Sequence, residues 1–260
     1  MVPFAPDTLP LTPATRSWLT FFDAFTPFHG VTLAVCLTLI ALWCALGRRF
    51  LALDRADHGS REQRLRTALA CAFLAFQGFA TVWRALPAHF TPGESIPLHL
   101  CRFAGVIAPI ALLTMGRRWR ALTFFWGLGL SIQGFITPMW HDGLASVAFW
   151  LYWVGHTTII GTAVYDLAVH RYRPSARDLR FAIVLGVAVT AGIALVNIPL
   201  GTNYCYLGRG TYAGASVVDL LPPWPARPAI IIAGACALFV LMHLAASLLT
   251  RAPAPEPASP

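Results

Sequence analysis

At 260 residues, 57% of them hydrophobic and 12% charged, the chain is far more apolar than a soluble domain, which carries roughly 45–50% apolar and about 25% charged residues. Its formal net charge of +8 comes from 19 basic residues that are all arginine. These sit in short segments between apolar runs, where they set topology, and form no basic face for nucleic acid.

The first 27 residues are rich in proline and threonine and lack the basic n-region, short apolar core and small-residue cleavage site of a signal peptide. They are expected to be an extracytoplasmic segment, with the first helix acting as the insertion signal. Spanning roughly 30 Å of hydrocarbon takes about 20 apolar residues. Seven runs qualify: 28–47, 65–86, 96–115, 121–138, 144–170, 179–198 and 229–249. The fourth is short and the fifth long. The fold class predicted is all-α, a polytopic bundle of about seven transmembrane helices forming one domain over residues 28–249. The Pro/Ala-rich tail, residues 250–260, cannot bury a core and is expected to be disordered.

Arginines cluster between runs one and two, three and four, and five and six, and Arg251 follows run seven. The other side holds Arg16, Arg209 and Arg227. The positive-inside rule then places the N-terminus outside and the C-terminus in the cytoplasm, and the bacterial cytoplasmic membrane is the expected location. Counting back about 20 residues from Arg117 puts the outer boundary near Pro97, with Pro97 in the first helical turn and Cys101 about 6 Å below the boundary. Counting back from His170 puts the boundary near Trp150, in a belt-like aromatic cluster of Phe149, Trp150, Tyr152 and Trp153, with His156 about 9 Å deep. Cys101 and His156 therefore fall at similar depth on the same side.

Polar side chains at that level are the candidate site, because ionisable groups in a bilayer are costly. Cys101 is either apolar filler or a nucleophile activated by a base or positive field. His156 either hydrogen-bonds a neighbouring helix or serves as general base and then general acid. Arg102 and Arg84 are snorkelling anchors or phosphate ligands. His99 lies roughly 200° around the helix from Cys101 and shares a side with Arg102. Gln133 falls about a turn and a half inside span four, and Asn197 ends span six. Tyr165 and Asp166 read as an interfacial pair at the inner end. The outer loop 199–226 is long enough to fold over the bundle mouth.

Other chemistries find little footing. Five of the six cysteines lie inside apolar runs and only Cys205 in a loop, so there is no disulfide framework. The histidines form no i,i+4 pair on a helix, and there is no Cys-x-x-Cys, no G-x-S-x-G elbow and no phosphate loop. Neither a metal site nor a cofactor is expected.

The order Pro97-Leu98-His99-Leu100-Cys101, Gly155-His156-Thr157-Thr158, Gly201-Thr202-Asn203-Tyr204, then Asp219 before Pro223-Trp224-Pro225 resembles the YwaF-like integral membrane protein family of bacteria. That family is similar to an animal transmembrane acyltransferase of ether phospholipids and, more distantly, to membrane hydrolases of branched fatty-acid esters. The resemblance implies a cysteine nucleophile and a histidine on separate helices, matched here by Cys101 and His156. It also implies acyl transfer from a phospholipid, through the thiol, to a lysophospholipid hydroxyl, with Asn203 and Tyr204 in the family's signature loop. Proline at position 222, where glycine is expected, and Gly208-Arg209-Gly210 depart from its pattern. Arg102, His99, Arg84, Gln133, Asn203 and Tyr204 are the expected substrate-binding residues. The alternative is a non-catalytic membrane protein that binds or transports a lipid or small solute; no paired broken helices or inverted repeat support transport.

Overall fold

The structure, a computed structural model, describes residues 17–138, 141–210 and 217–250. Arg16, Arg251, the tail beyond residue 250 and the side chain of Asp219 lie outside what it describes.

Helix α1 (Pro27–Asp57) starts where Thr26 caps it, its hydroxyl accepting from the His29 N–H at 3.3 Å, with Pro27 in the first turn. It continues ten residues beyond the apolar run that ends at Gly47, because hydropathy marks the hydrocarbon core and not the end of a helix. Helix α2 (Arg61–Ala85) follows a turn at His58. The third run is shorter than expected. A four-residue helix α3 (Pro92–Ser95) precedes it, and α4 (Leu100–Thr114) begins only after His99. Pro97 therefore lies in the non-helical connection and not in a first helical turn, and Cys101 is the second residue of α4.

The fourth run is a rod in three pieces: α5 (Arg117–Leu122), a π-helical stretch (Thr123–Leu130) and α6 (Gln133–Ile136). In the wider π turn the Ser131 hydroxyl reaches the Trp126 carbonyl five residues back, at 3.5 Å. Glycines let neighbours close on this stretch. A Cβ at Gly129 would stand 2.7 Å from Met242 Sδ, and one at Gly127 would stand 3.2 Å from Ile159 Cγ2. Helices α7 (Val147–Ala168), α8 (Ala176–Leu200) and α9 (Ala226–Thr250) complete the chain, α8 entered through a Ser175–Asp178 capping box and left at Gly201 with φ 60°.

Among the described residues the fold is all-helical, apart from an isolated bridge between Phe21 and Asp142. Six helices there are long and apolar enough to cross a membrane, the interrupted fourth run not being one of them. Helix α4 packs against α2, α7 and the π-helical stretch, α1 against α7 and α2, and α8 against α9. The aromatic cluster on α7 is core and not an interfacial belt, because residues 17–26 fold back over it. Phe22 N–H donates to His141 O at 2.7 Å, and Phe22, 1% exposed, meets Phe28, Phe149 and Trp153. Only Trp150 of that cluster is substantially exposed, at 50%.

At the arginine-rich end the bundle is tied by buried charge. Glu62 accepts from Tyr165 at 3.0 Å and from His170 at 2.9 Å, and Arg66 joins Glu62 to the Leu112 carbonyl. Arg120 holds Asp166 through both carboxylate oxygens at 3.0 and 2.9 Å. Tyr165 and Asp166, expected as an interfacial pair, are thus interior joints between helices.

Candidate functional site

The start of α4 is set by a loop more than 100 residues away in sequence. The Cys205 Sγ–H donates to Leu98 O at 3.4 Å, and the same sulfur accepts from Leu100 N–H at 3.3 Å, one of the amides that open a helix without an intrahelical partner. Cys205 and Tyr206 both take left-handed backbone angles, with φ of 55° and 62°, an arrangement that costs non-glycine residues about 1–2 kcal/mol each. The loop carries that strain because it is pinned. Asn197 Oδ1 accepts from Tyr204 N–H at 2.9 Å, and its Nδ2 donates to Tyr204 O at 3.1 Å. Asn203 Oδ1 accepts from Gly208 N–H at 2.8 Å, and Arg227 donates to the Gly208 and Gly210 carbonyls at 2.7 and 2.9 Å. The Tyr204 side chain, fully buried, donates its hydroxyl to Pro92 O and so ties the loop to α3.

The elements so fixed surround a cavity of about 830 Å³. Cys101, Arg102 and the capping residue His99 reach it from α4, Arg84 from α2, Gln133 from α6 and His156 from α7. The structure therefore gathers six of the eight expected site residues around one space. Asn203 and Tyr204 are not among the lining residues; they build the loop behind it, which contributes Cys205, Tyr206 and Leu207 to the wall.

His156 is held by its own helix. Its Nδ1 lies 2.9 Å from the Tyr152 carbonyl oxygen, so Nδ1 carries the proton and donates, and the lone pair is on Nε2. The Tyr152 ring lies against the imidazole at 4.3 Å, and its hydroxyl donates to Gly134 O at 2.9 Å. Gly134 is glycine for a reason of space: a Cβ there would stand 2.6 Å from His156 Nε2. Gly105, one turn beyond Cys101, likewise leaves room for Gln77, whose Cδ would meet a Cβ at 2.8 Å.

Arg102 is close enough to act electrostatically on both the Cys101 sulfur and the His156 ring, and Arg84 acts on the sulfur as well. Neither arginine forms an ion pair among the described residues; Arg84 donates to its own helix at Ala80 O, at 3.1 Å. His99 lies 3.3 Å from Gly93 O through Nε2 and meets the Tyr204 ring edge-on at 5.2 Å, so it braces the mouth.

Residues 24–243 match the model of the TMEM164 family. The chain belongs to the TMEM164 family. No curated protein and no solved structure matches it. The TMEM164 match opens just before α1 and closes within α9, so it contains every residue that lines the cavity. With its membrane-length helices, the chain is a multi-pass membrane protein of that family.

Hydropathy and depth counting did not single out three lining residues. Glu94 lies on the short α3, among the groups that act electrostatically on Cys101. Gln77 lies mid-helix on α2, where a lone amide in an apolar run was the available signal. Cys205 was noted only for its place in a loop. Among the described residues there is no group of three or more His, Cys, Asp and Glu side chains arranged to hold a metal ion.

Proposed function

We propose that the protein is a membrane-embedded, cysteine-dependent phospholipid acyltransferase, related to the YwaF-like proteins. The observation that supports this most is one cavity lined by a thiol at the first turn of a helix, an imidazole whose Nδ1 is held by the Tyr152 carbonyl, and two arginines that form no salt bridge among the described residues, the Glu94 carboxylate of the same wall acting on both. Its size suits a drug-sized or larger apolar ligand.

In this reading His156 Nε2 takes the proton of the Cys101 thiol and the thiolate attacks the ester carbonyl carbon of a phospholipid. A C–S bond forms and the carbonyl becomes an oxyanion. Collapse breaks the ester C–O bond, and the departing lysophospholipid oxygen takes the proton back from His156. The thioester on Cys101 then passes the acyl group to the hydroxyl of a second lysophospholipid by the same steps reversed, His156 first removing that hydroxyl's proton. Arg102 and Arg84 hold the headgroup phosphate, and the Gln133 amide faces the developing oxyanion. Arginine distribution supports an outward N-terminus, and the resemblance to YwaF-like bacterial proteins favours a bacterial cytoplasmic membrane.

The test supplies purified protein with a phospholipid and an isotope-labelled lysophospholipid, and follows acyl exchange by mass spectrometry. Exchange by the wild type, lost in Cys101→Ala and reduced in His156→Ala, is expected. Retained lipid binding with no exchange by the wild type would assign the cavity to non-catalytic lipid binding instead.

A further inference from the structure

A second concavity, of about 460 Å³, lies at the other end of α7, where its last residues meet the arginine-bearing extension of α1. Arg48, Leu51, Ala52 and Arg55 line it from α1 and Ala168, Val169 and Arg171 from the end of α7. The α1 residues are spaced i, i+3, i+4 and i+7, one face of a helix, with a guanidinium at each end and apolar groups between. Among the described residues, no carboxylate lines the groove.

Four of the arginines at this end are engaged in ion pairs. Arg61 is paired with Asp54 and Asp57, Arg66 with Glu62, Arg117 with Asp178 and Arg120 with Asp166. Arg48, Arg55 and Arg171 have no ion pair among the described residues, although they converge on one space. Arg48 is fixed by its Nε, which donates to Ala168 O at 3.1 Å. Arg171 takes a left-handed φ of 52°, a conformation a non-glycine residue adopts only where its surroundings hold it.

We propose that this groove binds the phosphate headgroup of an anionic phospholipid. Three guanidinium groups supply the charge, and Leu51, Ala52, Ala168 and Val169 give the apolar wall that a glycerol backbone and the start of an acyl chain require. A free anion would use only the arginines. The site is separate from the Cys101 cavity and does not depend on acyl transfer.

The test titrates the full-length protein in neutral detergent with dioleoylphosphatidylglycerol and counts bound lipid by native mass spectrometry. The variant is Arg55→Ala with Arg171→Ala, which leaves the Arg48 bond to Ala168 in place. The control, Arg64→Ala with Arg177→Ala, removes the same charge from exposed positions at the same end. Unfolding midpoints confirm that both are folded, and should the first double variant not fold, Arg55→Ala alone carries the comparison. The site predicts apparent affinity weakened roughly tenfold or more in the groove variant and unchanged in the control. Zwitterionic dioleoylphosphatidylcholine should show no such difference. Equal weakening in both variants would reduce the groove to a diffuse surface potential and overturn the proposal. Displacement of the lipid by an equal concentration of glycerol 3-phosphate or inorganic phosphate would also overturn it, in favour of a soluble anion.

Discussion

The Nδ1 of His156 lies 2.9 Å from the carbonyl oxygen of Tyr152, one helical turn earlier on α7. That bond puts the ring's proton on Nδ1 and its lone pair on Nε2, which is the state a general base needs before it meets a thiol. Tyr152 also packs its ring, tilted, against the imidazole and ties α7 to Gly134, so the imidazole is held on two sides.

Gly134→Ala tests that placement. Its methyl would stand 2.6 Å from Nε2 and crowd Cδ2 more closely still, so the ring must move. Displacement by about 1 Å at a reacting group costs on the order of 10²-fold in rate. Turnover should fall by that order with the unfolding midpoint little changed. Gly192→Ala and Gly234→Ala, on α8 and α9, meet nothing within 4 Å and should leave turnover intact.

Cys205 gives a pH-dependent prediction. Burial raises its thiol from 9.0 to about 12, against the lowering effect of the Leu100 N–H. The protonated sulfur donates to Leu98 O and accepts from Leu100 N–H, while a thiolate cannot donate. A raised folded-state pKa means that the contribution to stability is complete below pH 9 and is lost as pH climbs through about 12. Thermal unfolding of the wild type should therefore lose stability across that window by more than Cys205→Ala does. Parallel profiles would contradict the capping role.

Arg102→Gln removes a charge that acts on both Cys101 and His156. A hydrogen bond to a charged group contributes about 1.5–3 kcal/mol, so KM for phospholipid should rise roughly tenfold or more. The same change at Arg84 should raise KM with less effect on kcat, because Arg84 does not share the electrostatic influence on His156. A fall in kcat at unchanged KM would make Arg102 an oxyanion group and not a headgroup ligand.

Glu62→Ala tests the opposite end. It strands Arg66, 9% exposed, and removes the acceptor of Tyr165 and His170. Breaking a buried ion pair costs about 3–5 kcal/mol. Denaturation in detergent should show a loss of that order, while turnover per folded molecule stays near the wild type.

The membrane helices were legible because each must present about 20 apolar residues to lipid. Their ends were less so. Arg48 ends the apolar run but not α1, and Pro97 looked like a helix start only until the Cys205 cap placed that start at Leu100. Cys101 and His156, placed at similar depth by counting from basic and aromatic landmarks, line the same cavity. The roles of Asn203 and Tyr204 could not be read that way, since depth says nothing of direction, and their side chains bind Gly208, Gly210 and Pro92. Tyr165 and Asp166 misled for a related reason: hydropathy sees a polar pair near a helix end, whereas their partners Glu62 and Arg120 are more than 40 residues away.

The most direct test is to look for the acyl-enzyme. The purified protein, mixed with a phospholipid donor and quenched in acid before acceptor is added, should gain the mass of one acyl group on the peptide containing Cys101. The adduct should be released by neutral hydroxylamine, form more slowly in His156→Ala and be absent in Cys101→Ala. Acyl exchange that continues in Cys101→Ala, or an adduct on any other residue, would contradict the account.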